Sequence, residues 1–419
     1  MEICANKDRL NCCLENRETK SNRDLFPYNP NMWLTLFFGG LATLFLVMTS
    51  TSLFHLQWVQ RLPALSDLDS ALRVDLPNPD AIQCSVVVAA RDEGSRIEKT
   101  VCHLLAQHDV RLEVIVVNDR STDRTEEILG RMAKDDDRLQ MLAVHELPGG
   151  WLGKCNACHR GAATAKGDWI LFTDADCWLK PDVISRALRV ADRDGVDHVT
   201  LTPGINAETA GARAWHLAFL ISLSNWVSGV NRDRPKAYLG IGAFNLVRAS
   251  AYRQCGGYET LRMTVLDDVK LGLLLRRAGM RTRAFIGGND VQCNWGTSVK
   301  DMIKIMEKNY FATLDYRLVG AVVAGFGGIL VWCAAIIGPL TGTASGTTAG
   351  ISMLSLAIPA FILSRRLGWG GRGALLTPLI YPALFYAMLN STWKTIRQGG
   401  VRWRDTFYSL AELRAGTVR

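Results

Sequence analysis

Three stretches of this 419-residue chain contain no Asp, Glu, Lys or Arg: Met32 to Phe54, Leu318 to Ser364, and Ala374 to Trp393. A helix needs about 20 apolar residues to cross the hydrocarbon core of a bilayer. The first and third runs suffice for one crossing each. The middle run suffices for two, with Gly342 to Gly350 as a small-residue turn between them. Charge-free runs of crossing length argue against four ordinary core helices. The first run follows some thirty polar residues and has no convincing small-residue cleavage site, so it reads as a retained anchor. Low-complexity composition is also lacking: 48% hydrophobic residues exclude a disordered or collagen-like chain.

Acidic residues are scarce at one end. After residue 364 nine Lys and Arg face only Asp405 and Glu412, which accounts for seven of the net +8 charges. The basic character therefore belongs to the membrane end, implying anionic lipid head groups and no nucleic acid. The 11 cysteines are odd in number and scattered. That fits reduced thiols in a cytosol-facing domain better than a disulfide framework. The mean hydropathy of +0.07 is thus an average over two unlike parts.

Between Ile82 and Val199 short apolar runs alternate with helical spacing. Cys84–Ala90, Leu112–Val117, Leu139–Val144 and Trp169–Thr173 read as strands; Ser95–Gln107, Asp123–Ala133 and Cys155–Ala165 read as helices. Unbroken apolar strands separated by helices predict an α/β domain whose parallel sheet is covered on both faces. Ligands of such sheets bind beyond the carboxyl ends of the strands. Those ends carry Arg91, Asp92 and Glu93; then Asp119, Ser121 and Asp123; then Asp174 and Asp176. Carboxylates grouped on one rim repel each other unless a cation neutralises them. Asp174-Ala-Asp176 can present hard oxygens to Mg²⁺ or Mn²⁺, leaving positions open for a diphosphate. None of these strands leads into G-x-G-x-x-G or G-x-x-x-x-G-K-[ST], which argues against a Rossmann dinucleotide site and a P-loop.

Ser85–Glu93, Val114–Asp119 with Ser121 and Asp123, and Asp174-Ala-Asp176 resemble the three nucleotide-sugar motifs of family 2 glycosyltransferases of the GT-A fold. Gly150-Trp-Leu-Gly-Lys154 is similar to a segment of the membrane members that glycosylate hopanoid- and carotenoid-type lipids. Gly242–Arg248 with Gly256-Gly-Tyr258, Leu266-Asp-Asp268, Glu307–Ala312 and Trp403-Arg404 extend the likeness. Two departures stand out. Asp267 occupies the place of a usual Glu, and the Q-x-x-R-W motif of processive synthases is missing, Glu307–Phe311 lying where it would be sought.

The resemblance implies a GT-A domain over 82–315, an N-terminal polar segment 1–31, a transmembrane helix 32–54, about three transmembrane or re-entrant helices over 318–393, and a basic tail 394–419. It implies a metal-dependent, inverting transfer of one sugar from a nucleotide-sugar, expected to be a UDP-sugar, to a lipid hydroxyl. Asp119 is expected at the base and Glu93 near the ribose or base, with Ala90, Arg91 and Ser121 beside the donor. Lys154 would meet the diphosphate as a point charge. Asp174 would touch ribose or metal, and Asp176 would ligate the divalent ion. Asp268 is the expected general base, paired with Asp267 at a helix N-terminus. Trp226, Trp295 and Tyr310 are expected on the lipid-facing side, with Ala210–Val230 as an interfacial helix.

Two other readings remain open here. One is a processive polysaccharide synthase. The other is a membrane-anchored cytochrome, since Cys155-Asn-Ala-Cys158-His159 matches C-x-x-C-H. The catalytic domain is expected in the cytoplasm on the plasma or inner membrane. Four crossings would then put the tail on the opposite side, against the positive-inside rule. Pro378 and Pro382 make Ala374–Trp393 the first candidate for a segment that does not cross.

Overall fold

The computed structural model describes residues 31–68 and 81–419, so the expected polar segment 1–31 lies outside them but for Asn31. Asn31–Leu56 is one helix, α1. The chain then alternates through β1 (Cys84–Ala90), α2 (Ile97–Leu105), β2 (Leu112–Asp119), α3 (Thr125–Asp135), β3 (Leu139–Val144), α4 (Gly153–Thr164) and β4 (Trp169–Asp174). Every residue of β2 is buried, as a strand covered on both faces requires. One face packs under α2 and α3, the other under α4. Gly161 lets α4 lie close on the sheet: a Cβ there would sit 2.4 Å from Val87 Cγ1. The start of α3 is set by Asp123, whose carboxylate accepts the Thr125 N–H at 2.9 Å and the Gly94 N–H at 2.8 Å.

Next come β5 (Cys177–Leu179), α5 (Val183–Asp194), β6 (His198–Ile205), α6 (Ala210–Asn231), β7 (Asn245–Arg248), α7 (Ala249–Gln254), α8 (Gly257–Thr260), α9 (Asp267–Arg277) and β8 (Thr282–Cys293). The eight strands order as β3-β2-β1-β4-β7-β6-β8-β5. β1 to β4 are parallel, but β7 opposes both β4 and β6, and β5 opposes β8. The sheet is therefore mixed, which corrects the all-parallel expectation. β5 has three residues, too few to read as a run. β7 is entered from the carboxyl edge after α6, which reverses its direction. This reversal brings Gly242, just before β7, beside the end of β4: the Asp174 N–H donates to the Gly242 carbonyl at 3.1 Å.

Beyond the sheet follow α10 (Val299–Met306), α11 (Tyr310–Thr313), α12 (Leu318–Ile337), α13 (Ala344–Leu354), α14 (Ala357–Arg366) and α15 (Arg372–Gln398). Four segments are long and apolar enough to cross a membrane: Met32–Leu56, Leu318–Thr341, Ala344–Arg366 and Arg372–Gln398. The turn expected over Gly342–Gly350 is shorter. Thr343 caps α13 by accepting the Gly346 N–H at 3.0 Å, so the small residues after it are helical. α15 is continuous through Pro378 and Pro382. Pro382 has no N–H for the carbonyl of Pro378. Trp332 Nε1 donates to that carbonyl instead, at 2.9 Å, which is how a proline is tolerated in an apolar bundle.

The chain ends in the hairpin β9 (Gly400–Trp403) and β10 (Thr406–Ser409), then α16 (Leu410–Gly416). Val401, Tyr408 and Leu413 join the apolar cluster of Val87, Leu152 and Phe172. Arg414 donates to the Tyr316 carbonyl at 3.1 Å. The tail thus packs against the sheet domain. Three full crossings after Tyr316 would place it on the other side. α15 touches the domain at both ends, with Gly373 against Arg213 and Lys394 bonded to Glu307 at 2.5 Å. It is the segment expected to lie along the domain instead of crossing. Single reporter cysteines test this in sealed membrane vesicles. Lys134→Cys and a thiol added after Arg419 should react from one face, and Ser345→Cys from the other.

Candidate active site

The carboxyl ends of β1, β2 and β4, the loop before β7 and the start of α9 enclose one cavity of about 1030 Å³. Ala90, Arg91, Glu93, Asp119, Lys154 and Asp174 line it, as do Asp176, Asp267 and Asp268. Trp226, Trp295 and Tyr310 line it too. Of the residues expected from sequence, only Ser121 is not brought there. Its hydroxyl accepts the Asp92 N–H at 3.0 Å and so shapes the loop that carries Glu93.

Lys154 is the electrostatic centre. It stands at the first turn of α4, and its Nζ lies 2.7 Å from Asp174 and 3.6 Å from Asp267. Burial alone would lower its pKa, but Asp174, Asp267 and Asp268 outweigh this and hold it well above the usual lysine value. Burial would likewise raise Asp174, and Lys154 overcomes it, so that carboxyl stays below its ordinary value. Asp176 has no such partner: among the described residues no Lys or Arg lies within ion-pair distance of it. Burial, then the charges of Asp174 and Glu93, push it up to about 6.

Asp267 and Asp268 form the first turn of α9, where the helix dipole favours negative charge. Asp267 accepts from the Tyr258 hydroxyl at 3.1 Å. Asp268 accepts the Gly242 N–H at 2.6 Å and the Val269 N–H at 2.8 Å. Burial, then Asp267, push the Asp268 carboxyl up to about 6 against the pull of Lys154. Asp174 and Asp268 converge on Gly242, for a Cβ there would meet Asp174 Oδ2 at 2.7 Å and Asp268 Oδ2 at 3.3 Å. No side chain fits at that position without parting the two carboxylates.

The Asp119 end of the cavity differs from expectation in detail. Asp119 is held by its neighbour Arg120 in a two-pronged pair, Nε–Oδ1 2.8 Å and Nη2–Oδ2 3.0 Å. Two cations were not identified from sequence. Lys308 lines the cavity with its Nζ 3.6 Å from the centroid of the Trp403 ring; burial, then Lys154, lower its pKa to about 8. Arg404 reaches back from the tail hairpin to Glu93 at 2.5 Å, while Asp405 pairs with Arg91 at 3.1 Å. The Lys308 and Arg404 signals were present as a Lys-Asn segment and a Trp-Arg pair, but neither has a spacing that points to its partner, the distant Trp403 ring for Lys308 and Glu93 for Arg404.

The opposite wall is apolar. Phe219, Leu220, Leu223 and Trp226 of α6 face the cavity, with Trp295 packed edge-on against Phe219 at 5.2 Å. Cys155 and Cys158 correct the cytochrome reading. Both sulfurs are buried in the α4–sheet interface, and His159 lies against the Trp151 ring at 5.1 Å. Thioether attachment of a macrocycle has no surface to form on.

Residues 85–256 match the Glycosyl transferase family 2 model. The chain is 29% identical over 195 residues to a Beta-monoglucosyldiacylglycerol synthase of Nostoc sp., covering 45% of this chain and 40% of that protein. It is 23% identical over 350 residues to a 4,4'-diaponeurosporenoate glycosyltransferase of Staphylococcus aureus, covering 78% and 88%. The matched region spans less than half of the Nostoc relative. Among solved structures, a mannosyltransferase, PcManGT, from Pyrobaculum calidifontis, determined with GDP-Man and Mn²⁺, superposes with a TM-score of 0.50 at 16% identity, over 86% of this chain and 99% of that one. That likeness bears on the fold alone, and it agrees with a GT-A domain.

The raised carboxyls have a consequence for stability. An unfolded Asp titrates near 3.9. A carboxyl raised to about 6 in the fold stabilises it at low pH and loses that contribution as pH rises through 6. In metal-free buffer Asp176→Asn should therefore raise stability by about 1–3 kcal/mol at pH 7.5, read as a higher Tm. The gain should vanish near pH 4.

Proposed function

We propose, from the match of residues 85–256 to the Glycosyl transferase family 2 model, that the protein transfers one sugar from a UDP-sugar to a lipid hydroxyl, inverting the anomeric carbon. The observation that carries this reading is the single cavity in which the Asp268 end and the Phe219–Trp226 wall meet. A donor carrying a diphosphate suits the charged half, and an acyl or isoprenoid chain suits the apolar half. The names of the Nostoc and Staphylococcus relatives, a glucosyldiacylglycerol synthase and a diaponeurosporenoate glycosyltransferase, support a lipid acceptor. We assign 82–315 to catalysis, 32–54 and the helices of 318–393 to the membrane, and the tail 394–419 to closure of the donor site, with the catalytic face in the cytoplasm.

In this reading Asp119 and Glu93 receive the uridine end. Lys154, Lys308 and Arg404 surround the diphosphate, the last two standing in for the contact that the missing Q-x-x-R-W motif would make. Asp176 and the free oxygen of Asp174 fit a hard divalent cation, because Asp176 is buried beside like charges with no basic partner. A bound Mg²⁺ or Mn²⁺, the latter present in the Pyrobaculum relative, would supply neutralisation of the diphosphate as it leaves. Asp268 accepts the proton of the acceptor hydroxyl as that oxygen bonds to the anomeric carbon and the UDP oxygen departs. A carboxyl near pKa 6 is deprotonated at neutral pH yet basic enough to share the proton in the transition state. The Gly242 and Val269 N–H groups fix its orientation. Tyr258 and Lys154 hold Asp267, which keeps the second carboxylate from taking the same proton.

Radiolabelled UDP-sugar given to the purified protein with a lipid extract tests the reading. Label should enter the organic phase as a lipid with one sugar; a polymer would replace it with a processive synthase. Asp268→Asn should lower kcat about 10²–10⁴-fold with little change in donor affinity. The kcat/KM profile should fall on the acid side with an apparent pKa of about 6. Arg404→Ala should raise the donor KM about tenfold, the loss of one charge-assisted contact of about 1.5 kcal/mol, and leave kcat nearly intact.

A further inference from the structure

Behind the Asp176 carboxylate lie two thiols that the transfer reaction does not use. β5 and β8 pair antiparallel with Cys177 directly opposite Cys293, so both side chains project from the same face. The Cys293 sulfur is 3.7 Å from Asp176 Oδ1. The two sulfurs and one oxygen of Asp176 all lie within 4.8 Å of one another. Cys177 is fully buried and Cys293 is 5% exposed, while Cys293 and Asp176 line the cavity and so give an ion a way in. Among the described residues no Lys or Arg forms an ion pair with Asp176.

We propose that Asp176, Cys177 and Cys293 form a binding site for a thiophilic divalent cation, Zn²⁺ or Cd²⁺, whose occupation inhibits sugar transfer. Two sulfurs and one carboxylate oxygen supply three ligands of a tetrahedral site, and the cavity leaves the fourth to water. Sulfur selects zinc and cadmium over the hard cations that a carboxylate pair prefers. Binding releases the two thiol protons to solvent, so affinity falls as pH falls. With its oxygen turned toward the sulfurs, Asp176 is withdrawn from Asp174. The inhibition rests on the reading of Asp176 as a ligand of the donor's metal; the binding does not.

Cd²⁺ titrated into the purified full chain should produce the ultraviolet charge-transfer band of cadmium thiolate. Cys177→Ala and Cys293→Ala together should abolish it, and each alone should weaken binding at least about tenfold. Cys155→Ala with Cys158→Ala should keep it. A band that survives the first pair, or is lost with the second, overturns the site. Should the first pair fail to fold, Zn²⁺ protection of Cys293 from iodoacetamide in the unaltered protein decides, read by mass spectrometry; unprotected Cys293 overturns the site. Zn²⁺ should also inhibit transfer, relieved by excess Mn²⁺. Binding without inhibition would sustain the site and overturn the role given to Asp176.

Discussion

Everything around the cavity answers one electrostatic problem. Asp174, Asp176, Asp267, Asp268 and Glu93 are gathered in a half-closed space, where like charges raise one another and burial penalises each. Lys154 resolves the part nearest α9 by bonding Asp174 and Asp267 together. Arg404 and Arg96 resolve Glu93. Asp176 and Asp268 are left under-compensated, and these are the two carboxyls driven to about 6. In the proposed reading the imbalance is the useful feature: one carboxyl offers a place for a cation and the other a base poised near neutral pH.

The helices outside the sheet complete the cavity. α6 packs along α15 and turns its Phe219–Trp226 side to the cavity. The tail then returns from α15 to place Trp403 over Lys308 and Arg404 on Glu93. Arg404 itself has a left-handed backbone, φ 53°, at the hairpin turn between β9 and β10. A chain cut before residue 399 would keep the sheet and lose one wall of the cavity. Sequence order thus runs apolar helix, sheet, apolar helices, hairpin, and the cavity is built where the last return meets the first strand ends.

How far this could be read from the chain depends on the kind of signal. β1 and β3 fall on the expected residues because continuous Val, Leu and Ala runs end abruptly in charge. The carboxylates at the ends of β1, β2 and β4 were legible for the same reason. Asp268 was legible through the helix it starts. Ser121 was misplaced because a serine beside a ligand site and a serine that shapes its loop have the same local sequence. The reversal of β7 and the three-residue β5 were hidden, since pairing direction is set by tertiary path and not by periodicity. Lys308 and Arg404 were hidden because their partners are distant in sequence. The side of the tail stays open in the sequence because counting crossings conflicts with the positive-inside rule; the structure adds that α15 is held against the domain at both ends.

The central claim is that Asp268 activates a lipid hydroxyl for direct displacement at the anomeric carbon. Proton NMR of the sugar–lipid product formed from an α-linked UDP-sugar tests it most directly. The account requires a single sugar in β linkage. An α-linked product, or a chain of sugars, would contradict it.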